Sequence, residues 1–180
     1  MLYFSVHRFD PKFFPETGKI EEIGEGEGKG FNINVPLGTM IDGHPRFVRN
    51  LDYMEIIMKL FFPLYLQFKP DLLFISAGYD SCEGDPVGQT FHLTPEVYAW
   101  IVAAIRKAGC KNIVTVLEGG YNFTNLANCC ESTVEALLTK DPSGFTKGVE
   151  KAILKQVRGD ERKVQGFVEE TIGRVREELG

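Results

Sequence analysis

Pro70-Asp71-Leu72-Leu73-Phe74-Ile75-Ser76-Ala77-Gly78-Tyr79-Asp80 is the stretch whose reading decides the fold. Its apolar run is short, lacks a polar face and ends on a glycine turn, the pattern of a parallel strand buried on both faces and of its C-terminal edge. Before it, Leu51, Met54, Ile57, Met58, Phe61, Phe62, Tyr65 and Phe68 recur close to a 3.6-residue period, predicting an amphipathic helix over 49–68 that bends or splits at Pro63. After it, Thr94-Pro95-Glu96 opens a helix with a capping residue and a first-turn proline, and Gly109 stops it. The unit then repeats: Ile113 to Leu117 as strand, Glu118-Gly119-Gly120 as turn, and a helix from about Thr124 to Leu138. Strand and helix alternating at this spacing predict an α/β fold with a mostly parallel sheet and helices on its faces.

Further out the signals are weaker. Leu2 to Val6 reads as another near-continuously apolar strand, with no turn before it. Phe9 to Gly30 holds two prolines and five glycines and is expected to be a long loop; the pair Phe13-Phe14 argues that it is shaped and packed. Phe31 to Val35 alternates as a short strand closed by Pro36. The stretch from Phe145 to Gly180 is charged, with spaced valines and isoleucines, and predicts one or two surface helices without a catalytic cluster.

Composition excludes several function classes. The 180 residues are 43% apolar, enough for a sizeable core and against wholesale disorder. Twenty Lys and Arg against 25 Asp and Glu leave a formal charge of −5, without a basic block, so direct nucleic-acid binding is not expected. No apolar run reaches the roughly 20 residues that cross a bilayer. Met1-Leu2-Tyr3-Phe4-Ser5 has neither a basic nor a long apolar leader region, so no secretory signal is expected. Cys82, Cys110, Cys129 and Cys130 lack CxxC spacing and read as reduced thiols, giving the expectation of an intracellular protein, cytoplasmic or nuclear.

In an open parallel sheet, ligands bind beyond the carboxyl ends of the strands. Three such edges carry chemistry here: Ser5-Val6-His7, Ser76 to Asp80, and Glu118 to Asn122. A carboxylate at Asp80, or at Asp85 in the loop beyond it, can hold a divalent metal, orient a histidine or cap a turn. Tyr121 after a double glycine can polarise a carbonyl or simply pack. His7 reads equally as a buried structural histidine or a base. Cys82 has no histidine nearby and reads as a bystander. Neither GxGxxG nor GxxxxGK spacing is present, which stands against an unrelated doubly wound nucleotide-binding domain.

Taken together, Ser5 to Gly18, Gly28 to Pro36, Pro70 to Asp80 with Gly84-Asp85-Pro86, and Leu117 to Asn122 resemble the zinc-dependent histone deacetylase family in order and spacing, over about residues 2–138. Leu117-Glu118-Gly119-Gly120-Tyr121 looks more like the class II and acetylpolyamine or acetoin-utilisation branch than like class I. The resemblance implies a three-layer, arginase-like α/β sandwich. It implies that Asp80 is a zinc ligand and that Tyr121 donates to the acetyl oxygen as the oxyanion forms, with Gly119 and Gly120 letting the substrate channel approach the backbone. Phe14 would be an aromatic wall of the acyl-lysine tunnel and Val87 a residue on its rim. Ser5 and the Val6 carbonyl would form part of a monovalent-cation site, taking K+, and His7 would be structural support. Glu16 departs from the glycine often found before Thr-Gly.

The family's other two zinc ligands come from an Asp-x-His motif and its general base from a His-His pair. This sequence has neither, and its three histidines, at 7, 44 and 92, do not stand at matching positions. The expectation is therefore the C-terminal half of a deacetylase domain over 1–140, followed by a charged helical extension over 141–180. Such a half is expected to be inactive alone and to take up Zn2+ only when a separately encoded N-terminal half completes it. The expected substrates are an acetyl-lysine protein or an acetylated polyamine. The alternative is a non-catalytic binding module.

Overall fold

The structure, a computed structural model, describes residues 1–41, 43–157 and 163–180. In chain order its elements are β1 (Tyr3–Arg8), β2 (Asn32–Leu37), β3 (Met40–Ile41), β4 (His44–Pro45), β5 (Val48–Arg49), α1 (Asn50–Ile56), α2 (Phe62–Phe68), β6 (Leu73–Ala77), β7 (Phe91–His92), α3 (Pro95–Lys107), β8 (Ile113–Leu117), α4 (Phe123–Leu138), α5 (Pro142–Gln156) and α6 (Gly166–Leu179). The strands pair as β1–β2, β5–β7 and β6–β8 in parallel and β3–β4 antiparallel. The chain forms two units, one of residues 1–47, 55–68 and 164–180, the other of residues 48–54 and 69–163.

In the first unit β1 and β2 run in register from Tyr3 opposite Asn32 to Arg8 opposite Leu37. The second strand extends past the predicted stop, with Pro36 inside it opposite His7. Proline is tolerated where no ladder bond needs its missing N–H. Ile33, Val35 and Leu37 are buried, and so is Asn34, whose amide donates to the Lys19 and Glu22 carbonyls of the long loop. That loop is shaped by these polar ties and not by packing of Phe14, which is 86% exposed. His7 Nε2–H donates to the Gly18 carbonyl at 2.9 Å, and its Nδ1 is 2.9 Å from Ser5 Oγ. A Cβ at Gly18 would stand 2.6 Å from His7 Nε2, and φ there is +93°, so the position requires glycine.

The helix predicted over 49–68 is interrupted before Pro63. Between α1 and α2 lies a π-helical turn, Ile57–Phe61, in which the Phe62 N–H reaches back to the Ile57 carbonyl. Pro63 has no N–H to offer the Lys59 carbonyl, and Arg176 Nη2 of α6 donates to it at 3.1 Å. The apolar stripe of α6, Val168, Ile172 and Val175, is buried in this unit, where the helix packs on β2.

In the second unit β6 and β8 pair from Leu73 opposite Ile113 to Ala77 opposite Leu117. Ala77 joins a buried cluster with Tyr79, Cys82 and Cys129, and Ile75 packs against it and against Ala99, Val102, Ala103 and Ala136. Helices α3 and α4 thus cover one face of this ladder. Across them, Trp100 Nε1–H donates to Glu150 of α5 at 2.9 Å, and Arg106 donates to the Ala136 and Thr139 carbonyls at the end of α4. The other face differs from expectation: Phe74 is 64% exposed, and Val114 and Val116 are exposed beside it. The sequence read as a strand buried on both sides, the usual condition of parallel sheets, whereas here only one side is covered. All four cysteines are free thiols. Among the described residues no helix is long and apolar enough to cross a membrane.

Asp10 ties the end of β1 to the segment after β2. Its Oδ1 accepts from the Thr39 and Met40 amides at 2.8 and 2.9 Å, and its Oδ2 from Thr39 Oγ at 2.8 Å and Arg8 Nε at 2.5 Å. Burial pushes this carboxyl pKa up, but the donors from Arg8, Thr39 and Met40 outweigh it and hold it below the usual range. A depressed carboxyl contributes stability above its unfolded pKa and loses it as pH falls through the folded value. Asp10→Asn is therefore expected to cost about 1–3 kcal/mol at neutral pH, with the gap to wild type closing as pH falls below about 4. Urea unfolding of both proteins across pH checks this; a gap that persists in acid contradicts it.

Candidate active site at the tips of β6 and β8

Parallel pairing carries β6 and β8 to their carboxyl ends side by side. Beyond the ladder the Glu118 amide donates to the Ala77 carbonyl at 3.2 Å and the Tyr79 amide to the Gly119 carbonyl at 2.9 Å, so the two turns remain joined. The Asp80 carboxylate lies against the second turn. A Cβ on Gly119 would stand 2.8 Å from Asp80 Cγ and 2.9 Å from Oδ2, which is why a residue without a side chain occupies that position. Gly120, at φ +133°, then turns the chain so that Tyr121 follows, 56% exposed.

The loop after Asp80 folds back onto the same place. Gly88 sits so close to the Asp80 carbonyl that an added Cβ would be 1.8 Å from that oxygen. Asp85, 4% exposed, accepts the Val87 amide at 2.8 Å and the Gly88 amide at 3.3 Å on Oδ1, and the Tyr121 amide at 2.7 Å and the Asn122 amide at 3.2 Å on Oδ2. Asn122 caps α4 by accepting from the Asn125 amide and donates to the Gly84 carbonyl; the Asn125 side chain donates to the Glu83 carbonyl at 2.6 Å. Asp80, Val87, Gly119, Gly120 and Tyr121 are thus brought together in one unit. Ser5, Val6 and Phe14 belong to the other: Ser5 Oγ engages His7, Val6 pairs with Val35, and Phe14 is 86% exposed in the long loop.

Burial raises the Asp80 carboxyl pKa, and the nearby charge of Asp85 raises it further. Tyr98, whose hydroxyl lies 2.9 Å from Ser81 Oγ, and Tyr53 have phenol pKa values pushed up by burial and sit in the same surroundings. Neither tyrosine stands at a strand end, so the sequence did not single them out. For Asp85 the sequence offered a metal ligand, a partner for a histidine or a cap, and not this link between two segments.

The donor set bears on zinc. Asp80 offers one carboxylate, and the roughly four acceptor directions of Asp85 are taken by four amides. Among the described residues no three His, Cys, Asp or Glu side chains form a group able to hold a metal. Catalytic zinc takes three protein ligands. The residues present therefore do not fit a zinc site by themselves.

The structure is an α/β fold with helices over parallel strands and an acid and a tyrosine at adjacent strand tips. The chain belongs to the histone deacetylase family: residues 1–137 match the histone deacetylase domain. It is 36% identical over 147 residues to histone deacetylase HDA1 of Saccharomyces cerevisiae, covering 79% of this chain and 20% of that protein. It is likewise 36% identical over 141 residues to the human polyamine deacetylase HDAC10, covering 77% and 20%. The solved structure of the histone deacetylase Clr3 superposes with a TM-score of 0.79 at 27% identity, over 99% of this chain and 27% of that one. The HDA15 HD domain does so with a TM-score of 0.70 at 25% identity, over 99% and 47%. The chain spans about a fifth of the length of these two relatives.

Gly119→Ala tests the close approach. The added methyl is expected to displace the Asp80 side chain and cost about 1–3 kcal/mol, seen as a lower urea midpoint and a shifted Asp80 carboxyl carbon resonance. Wild-type stability with an unmoved resonance contradicts the packing.

Proposed function

We propose that this chain supplies one wall of a deacetylase active site, in which Asp80 is a zinc ligand and Tyr121 an oxyanion donor, and that the remaining ligands and the general base come from residues outside it. The observation that carries the reading is the Asp80 carboxylate resting on Gly119, two residues before Tyr121. Family membership supports it, as do the missing Asp-x-His and His-His motifs and the lack, among the described residues, of a three-ligand group able to hold a metal. The uncovered apolar face of the β6–β8 ladder supports it independently, since a parallel sheet is stable when both faces are covered.

The reaction is amide hydrolysis: water adds to the acetyl carbonyl carbon, the C–N bond breaks, and acetate and a free amine leave. As the carbonyl becomes tetrahedral, charge builds on its oxygen, and the Tyr121 hydroxyl donates a hydrogen bond to it. Val87 forms part of the rim and Phe14 the aromatic wall of the channel that admits the acetylated side chain. The proposed substrates are Nε-acetyl-lysine in a protein or an acetylated polyamine, because relatives of both names match at similar identity. Ser5 and the Val6 carbonyl are proposed as part of a K+ site. With Asp80 as the one donor, a second reading is a non-catalytic module that retains an acyl-lysine groove.

Mixing the chain with a deacetylase N-terminal half separates the two. The mixture is expected to release acetate from an acetyl-lysine peptide or an acetylated polyamine, and Tyr121→Phe to lower the rate on the order of 10²-fold. A mixture that binds zinc yet releases no acetate favours the non-catalytic module. An active mixture indifferent to Tyr121→Phe overturns the role of Tyr121.

A further inference from the structure

The double glycine before Tyr121 poses a mechanical problem. Gly119 is required because the Asp80 carboxylate occupies the space of its side chain, and Gly120 adopts a φ of +133°. Two consecutive glycines leave the backbone more freedom than any other pair of residues, and past the Gly119 carbonyl, which accepts the Tyr79 amide, neither has a side chain to fix the residue that follows. The rim segment Pro86 to Gly88 is exposed except at Gly88.

One buried side chain joins both segments. Asp85 places one oxygen on the Val87 and Gly88 amides of the rim and the other on the Tyr121 and Asn122 amides beyond the double glycine. The shortest of the four bonds, 2.7 Å, is to Tyr121 itself. Hydrogen bonds to an ionised acceptor are shorter and roughly twice as strong as neutral ones, and this acceptor is shielded from water. The neighbouring ties, Asn122 to the Gly84 carbonyl and Asn125 to the Glu83 carbonyl, are neutral and exposed. Asp85 has no acceptor direction left for a metal or a substrate proton, so its chemistry is spent on the backbone.

We propose that Asp85 is the positioning residue of this site: its carboxylate fixes the backbone of Tyr121 after the flexible double glycine and, with its other oxygen, holds Val87 at a set distance from it. The positioning of the hydroxyl rests on the reading of Tyr121 as the oxyanion donor; the clamp on the backbone does not. Any loss caused by Asp85→Asn should then pass through Tyr121.

The test has two arms on the full chain. First, amide hydrogen exchange is followed by NMR in wild type and in Asp85→Asn. In wild type the Tyr121 and Asn122 amides are expected to be protected although they lie in a surface turn. In Asp85→Asn the four amides are expected to exchange at least tenfold faster, while those of α3 and the β6–β8 ladder keep wild-type rates. Wild-type Tyr121 and Asn122 amides exchanging at unstructured rates overturn the clamp, and this holds even if the variant fails to fold. So does unchanged protection in a folded Asp85→Asn.

Second, in the chain completed with an N-terminal half, Asp85→Asn is expected to lower the turnover rate about tenfold when Tyr121 is present. In the Tyr121→Phe background it should lower it less than twofold. Equal losses in both backgrounds mark a merely structural residue and overturn the positioning role. A completed domain without any deacetylase activity counts against the proposed function, and the exchange arm still decides the clamp.

Discussion

Adjacent parallel pairing of β6 and β8 is the constraint on which the rest depends. Because Ala77 stands opposite Leu117, the two strands end level, and the chain leaves both ends at the same height. Two further backbone bonds, Glu118 to Ala77 and Tyr79 to Gly119, prolong the contact past the last ladder residues. An acid three residues after one strand and a tyrosine four residues after the other therefore leave from neighbouring tips. The glycines at 88 and 119 mark where backbone and carboxylate come too close for any side chain. A slip of one residue would turn Ile75 and Ala77 out of the α3–α4 core and separate the two tips.

The strands and helices around this contact were legible because their periods are clean. The β6 and β8 runs, the Thr94-Pro95 opening of α3 and the helix predicted from about Thr124 are local signals that packing did not override. What escaped was set by tertiary contacts. The two-residue ladders β3–β4 and β5–β7 are too short to leave a periodic pattern. The π-helical turn at Ile57–Phe61 sits before Pro63, where the Lys59 carbonyl finds a partner on α6, far along the chain. Of the site, the positions of Asp80 and Tyr121 could be read from the ends of two strands. The task of Asp85 could not, since four amides from two distant segments converge on it and none of them is marked by residue type.

The same geometry explains why the site is one-sided. Asp80 lies against Gly119, Asp85 is saturated by amides, and among the described residues no three His, Cys, Asp or Glu side chains form a group able to hold a metal. One face of the β6–β8 ladder is buried under α3 and α4 while Phe74, Val114 and Val116 stand exposed on the other. A site short of donors and a sheet short of cover both agree with the proposed wall, whose complement would come from other residues.

The meeting of the two strand tips can be measured directly by an isotope-edited NOE experiment on the labelled chain, between the Asp80 side-chain protons and the Gly119 α-protons. The account predicts strong cross-peaks, because the space beside Gly119 is filled by the Asp80 carboxyl group. Their absence, in a chain whose β6–β8 ladder contacts are otherwise seen, would contradict it.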